Sequence, residues 1–235
     1  MRSFKLTNYR MDLPELLYLG LSMLLLSFFY VFDDVFKTWF QVFINFLNVL
    51  VIMCLSLLFH EFVKKTIAQS FGISSTYNLW IPGFFISVIT SIFSEGKLLL
   101  FTYGFSKFKQ FYGAKLGKSR VSIREDERGV IILSGVLASL ALAFLVKLLA
   151  PFLSESVWLL GVNVNLWIAL FALIPFPPLN GTYLLLWSRV VWVFSVIACL
   201  ALGFLLPSVS IVWSLLVMVG LCASAFFLMK SSKLL

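Results

Sequence analysis

The chain has 235 residues, 61% of them hydrophobic and 12% charged, with a mean hydropathy of +1.04. A water-soluble domain of this size cannot bury so much apolar surface, so the composition excludes the soluble classes and implies a polytopic membrane protein. The net charge of +8 fits an excess of Lys and Arg in cytoplasmic loops, not a nucleic-acid partner.

The apolar run from Pro14 to Phe32 is long enough to span and ends at Asp33-Asp34, with no small-residue cleavage site. It predicts a first transmembrane helix that is retained. Five further spans are expected over 40–60, 129–150, 157–174, 182–205 and 208–229. The segment from Leu79 to Tyr103 is apolar but interrupted by Pro82-Gly83 and by Glu95-Gly96-Lys97, which suggests a re-entrant or interfacial element. In 104–128, Phe105, Phe108, Phe111 and Tyr112 are interleaved with Lys107 and Lys109. We read this segment as interfacial, near anionic headgroups, in preference to a nucleic-acid patch.

Basic residues set the expected orientation. Arg2, Lys5 and Arg10 precede the first span, seven Lys and Arg crowd the stretch from Lys107 to Arg128, and Lys230 and Lys233 follow the last span. With six crossings these groups share one side, which the positive-inside rule makes cytoplasmic, so both termini are expected there. Cys54, Cys199 and Cys222 fall inside apolar segments and read as small hydrophobes, with no C-x-x-C pair among them.

The most telling local pattern is Phe59-His60-Glu61-Phe62-Val63-Lys64. In H-E-x-x-H, two histidines one helical turn apart hold zinc and the glutamate polarises a metal-bound water. Lys64 stands where the second histidine belongs, and His60 is the chain's single histidine. A cation at that position opposes a bound metal: two like charges at about 4 Å repel by roughly 4 kcal/mol at an effective dielectric near 20.

Taken together, F-H-E-F-V-K-K-T-I-A-Q-S-F-G (Phe59 to Gly72) and N-L-W-I-A-L-F-A-L-I-P-F-P-P-L-N-G (Asn165 to Gly181) resemble the site-2 protease family of intramembrane zinc proteases, its archaeal branch most closely. Gly135-Val136-Leu137-Ala138-Ser139 is a weaker match to that family's G-P-x-x-N. The resemblance covers roughly residues 40–190 and implies an α-helical polytopic fold of about six spans with a site-2-protease-like core. The single membrane domain, 1–235, then divides into a first span (14–39), that core with the interfacial segment 73–128, and C-terminal spans (191–235).

Against the family pattern, Lys64 replaces a histidine ligand and Asn180 the aspartate ligand. Ser139 and Ala172 replace asparagines, and Val136 a proline. The resemblance therefore implies vestigial ligand positions at His60, Lys64 and Asn180 with no metal expected, and Glu61 as a vestigial general base. Ser139, Ala172, Pro178 and Gly181 fall at substrate- or partner-binding positions. Glu61 and Lys64 lie three apart on a helix and are expected to pair, the alternative being that both reach out to the surface as Lys65 is expected to do. Asn180 is expected near His60 as its hydrogen-bond partner.

The expected function is a catalytically inactive pseudoprotease that binds membrane proteins or segments within the lipid bilayer, by strand addition in the region from Ile73 to Tyr103. A first alternative is an active zinc metalloprotease with a remodelled site drawing on Cys54 or Glu95. A second is a structural subunit of a membrane complex.

Overall fold

The computed structural model describes residues 12–31, 39–93, 104–110 and 123–208, with the isolated positions 216, 219 and 220. In chain order the elements are α1 (Leu13–Tyr30), α2 (Trp39–Ser70), β1 (Ile73–Leu79), α3 (Ile81–Phe93), β2 (Gly104–Gln110), α4 (Glu125–Leu148), α5 (Glu155–Ala172), α6 (Gly181–Trp187) and α7 (Arg189–Ser208). Among the described residues four helices, α2, α4, α5 and α7, are long and apolar enough to cross a membrane. α1 is a further apolar helix. The expected span 208–229 lies outside the described residues, apart from Ser208 and the three isolated positions.

Helix boundaries depart from the expected spans for identifiable reasons. α2 has 32 residues, about 48 Å at 1.5 Å per residue, and runs ten residues past the predicted end at 60. Its buried positions, Val49, Met53, Ser56, Leu57, His60, Glu61, Lys64, Lys65 and Ala68, recur in steps of three and four. One continuous inward stripe thus carries apolar residues first and charged ones afterwards. α4 begins at Glu125 because Glu125, Asp126 and Glu127 fill its first turn, where the helix dipole favours acids. Glu127 also accepts the Arg124 backbone N–H at 3.2 Å.

The predicted span 182–205 is two helices. Ser188 is extended (φ −154°, ψ 112°), and its Oγ accepts the Val191 N–H at 3.3 Å. A serine hydroxyl that takes a first-turn amide starts a new helix, and α7 begins there.

α4 lies at the centre. One apolar cluster joins it to α5, α6 and α7 through Ile132, Val136, Leu140, Ala169, Leu184 and Leu202. A second joins α1, α2, β1 and α5 through Leu19, Met53, Leu57, Tyr77, Val164 and Ile168. β1 and β2 pair antiparallel, Ile73 opposite Gln110 and Leu79 opposite Gly104. The 104–110 stretch, expected as interfacial loop, is therefore a strand. Its Phe/Lys interleaving is a period-two pattern: Lys107 and Lys109 are exposed, while Ser106 is buried and Phe108 packs on the Tyr183 ring.

Candidate functional site

The charged end of the α2 stripe carries the polar centre of the protein. His60, Glu61 and Lys64 are each at most 1% exposed. Lys64 Nζ donates to Glu61 Oε1 across one helical turn. Glu61 Oε2 is buried and has no hydrogen-bond partner among the described residues. His60 Nδ1 is 2.8 Å from Ser139 Oγ on α4.

Gly135 explains how the two helices come so close. A Cβ built there would lie 2.9 Å from His60 Cε1 and 2.9 Å from Nε2, so only glycine leaves room for the ring. The Gly135 backbone also makes a hydrogen bond to His60. Which of Nδ1 and Ser139 Oγ donates follows from the tautomer of the imidazole.

A second buried pair adjoins the first. Lys65 is 6% exposed, and its Nζ lies 2.6 Å from Glu15 Oε1 on α1. This corrects the expectation that Lys65 extends to the surface: it lies on the inward stripe, where a carboxylate from another helix meets it. The same Glu15 oxygen accepts the Tyr77 N–H of β1 at 2.6 Å. Tyr77 Oη and Ser22 Oγ of α1 are 2.7 Å apart. Burial, and secondarily the Glu61 charge, hold the Tyr77 phenol above its usual range.

Asn180 does not use its carbonyl as expected. Its Oδ1 accepts the Ser106 N–H of β2 at 2.9 Å, and Ser139 occupies Nδ1 of His60. Tyr77 and Ser106 face each other in the sheet. Both donate their N–H outward, to Glu15 and to Asn180. The two outer edges of the sheet are therefore each met by one side-chain oxygen at the same level.

The turn before α6 is built on close backbone approach. A Cβ at Gly181 would sit 2.3 Å from Leu173 C and 2.4 Å from Leu173 O. This packing folds the start of α6 back against the end of α5. Ala172 ends α5 and is buried in the main cluster. Ser139 and Gly181 are buried too, whereas Pro178 is exposed.

Of the sequence-selected residues, the fold brings together His60 and Ser139, and Glu61 with Lys64. It sets Asn180 against β2. Sequence reading did not single out Glu15, Ser22 or Tyr77. Glu15 carried a signal, since it is the lone acid within the first apolar run and a buried acid needs a partner. Cys54 lies half-buried on α2, packed against an apolar cluster, and Glu95 lies outside the described residues. Among the described residues no three His, Cys, Asp or Glu side chains converge as metal donors.

The chain is a distant relative of a protein of Methanocaldococcus jannaschii named "Putative zinc metalloprotease MJ0611". The two are 25% identical over 195 residues, which cover 78% of this chain and 90% of that protein. No family model matches the chain, and no solved structure matches it.

Proposed function

We propose that this chain is an integral membrane protein with a site-2-protease-like core that binds a membrane protein segment and does not cut it. The observation that carries this reading is the buried Lys64 ammonium, bonded to Glu61 at the place of a second zinc-binding histidine. The donor set does not fit a catalytic zinc, which takes three protein ligands and a water. His60 is held by Ser139, the Lys64 charge opposes a metal, and the Asn180 oxygen is engaged by β2. An ammonium in a metal's place gives Glu61 a counter-charge but no Lewis acid and no activated water.

Binding by strand addition suits the two-stranded sheet. Alternation along β2 points the amides of Phe108 and Gln110 to the same outer edge as Ser106, whose N–H Asn180 already takes. Ser139, Ala172 and Gly181 are buried, and Pro178 is the one of the four on the surface. Both termini lie on the cytoplasmic side in this reading, following the basic residues.

A second reading, an active zinc metalloprotease, is favoured by the name of the distant relative. Metal analysis of the purified protein separates the two. We expect zinc far below one equivalent and no cleavage of membrane substrates. Stoichiometric zinc, or cleavage abolished by Glu61→Gln, overturns the proposal.

A further inference from the structure

The two faces of β2 differ in chemistry. Lys107 and Lys109 are two residues apart, so both side chains stand on one exposed face of the sheet. The register sets Thr76 and Ser74 opposite them on β1. Their cross-strand neighbours within the sheet are therefore small neutral hydroxyls, while the two like charges lie about 7 Å apart along the strand. Lys107 Nζ sits over the Phe105 ring, 5.5 Å from its centroid, which keeps the ammonium close to the sheet. On the other face Ser106 is buried, and the Phe108 ring meets Tyr183 edge-on at 5.9 Å. β2 thus has a cationic side and an aromatic side.

The backbone pairing fixes how a third strand would lie along it. Ser106 stands opposite Tyr77, and its N–H points outward to Asn180 Oδ1 at 2.9 Å. By alternation Phe108 and Gln110 direct their N–H and C=O to that same outer edge, while Lys107 and Lys109 direct theirs to β1. An added antiparallel strand would exchange hydrogen bonds with Phe108 and Gln110. At Lys107 and Lys109 it would form the pairs without hydrogen bonds, where Cα atoms approach to about 4.5 Å and side chains come closest. The lysines therefore stand where a neighbouring strand's side chains are read most directly.

We propose that β2 takes an extended polypeptide segment with acidic side chains at two alternate positions, opposite Lys107 and Lys109, and an apolar side chain between them, opposite Phe108. The proposal rests on the strand-addition reading above and adds the partner's chemistry to it. The acids meet the two ammonium groups, and the apolar residue extends the Phe108–Tyr183 contact. The Asn180 oxygen already holds the place of a partner's carbonyl at Ser106, so it sets where the segment begins. An anionic lipid headgroup would engage the lysines alone. The outward amides of Phe108 and Gln110, in step with the lysines, favour a polypeptide.

The test uses the full-length protein in phosphatidylcholine nanodiscs and labelled threonine-flanked peptides whose centre is glutamate-valine-glutamate, glutamine-valine-glutamine or lysine-valine-lysine. By fluorescence anisotropy at low salt, the glutamate peptide is expected to bind about tenfold or more tighter than the lysine peptide, with glutamine between them. The gap should close as salt rises. Lys107→Glu with Lys109→Glu should reverse the order, and the reversal itself shows that the variant is folded. The milder pair Lys107→Gln with Lys109→Gln should bring the three affinities together. N-methylation of the central valine removes its amide donor and should abolish binding of the glutamate peptide. Retained binding would mean adsorption by charge alone and overturns the proposal. So does displacement of the glutamate peptide by phosphatidylglycerol added to the bilayer, which assigns the lysines to lipid. Equal binding of the three peptides by the wild type overturns the acidic preference and leaves strand addition standing. If none of them binds, both readings fall.

Discussion

A lysine ammonium taken out of water costs several kcal/mol, and at Lys64 the compensation comes from Glu61 on the same helix. Removing one partner is far worse than removing both, because an unpaired buried charge remains. Lys64→Ala leaves both Glu61 oxygens without a partner and should cost about 3–5 kcal/mol of stability in detergent unfolding. The double variant Glu61→Gln with Lys64→Met should recover most of that loss. Unchanged stability in Lys64→Ala would argue against the pair. His60 offers a cleaner reporter, being the single histidine. In Ser139→Ala the imidazole loses the hydroxyl at Nδ1, so its one ¹⁵N ring signature should shift, with a stability loss of about 1 kcal/mol. Gly135→Ala should shift the same signal more strongly, since its Cβ would sit 2.9 Å from the ring. An imidazole spectrum unaltered in both variants would rule out the Ser139–His60 contact.

Helices and strands here are held together by polar groups shared between elements. Glu15 joins α1 to α2 through Lys65 and to β1 through the Tyr77 amide. Glu15→Ala therefore strips two bonds at once and leaves Lys65 buried without its ion-pair partner. We expect a loss of about 3–5 kcal/mol and faster hydrogen exchange at the Tyr77 amide, with the α4–α5 core little changed. Exchange at Tyr77 no faster than in the wild type would mean that α1 is not held through this carboxylate. On the other side of the sheet, Asn180→Ala should expose or orphan the Ser106 amide and destabilise by about 1–3 kcal/mol. This contact makes Asn180 a sheet-edge residue, a role that its place in the P-P-L-N-G run did not suggest.

At the scale of the whole molecule, the open question is how far the interior is from metal chemistry. Lys64→His alone restores the H-E-x-x-H pattern but leaves the Asn180 amide as a poor third ligand. Lys64→His with Asn180→Asp supplies two histidines and a carboxylate, and the carboxylate can still accept the Ser106 amide. We expect the double variant to take up zinc and the wild type little or none, as measured by metal analysis after dialysis. Equal metal content in the two would sink this reading. Cleavage is a separate readout, because the sequence resemblance implies that Ser139 and Ala172 replace asparagines which would help to position a substrate. The broad outline of the fold was legible in the chain itself. Apolar runs and charge placement are local properties, and they located α1, α2, α4, α5 and α7 to within a few residues at most boundaries. The i, i+3 spacing of Glu61 and Lys64 likewise needed only one helix. Three features were decided by tertiary structure. The break at Ser188 lies inside a run that hydropathy alone reads as continuous, and β2 shows its alternation only once β1 lies beside it. The third is the choice of partners: Glu15 with Lys65, His60 with Ser139, and Ser106 with Asn180. These residues are 50 or more positions apart in the chain. A buried polar group takes whichever partner the packing of distant segments brings within about 3 Å, and no local pattern records that distance.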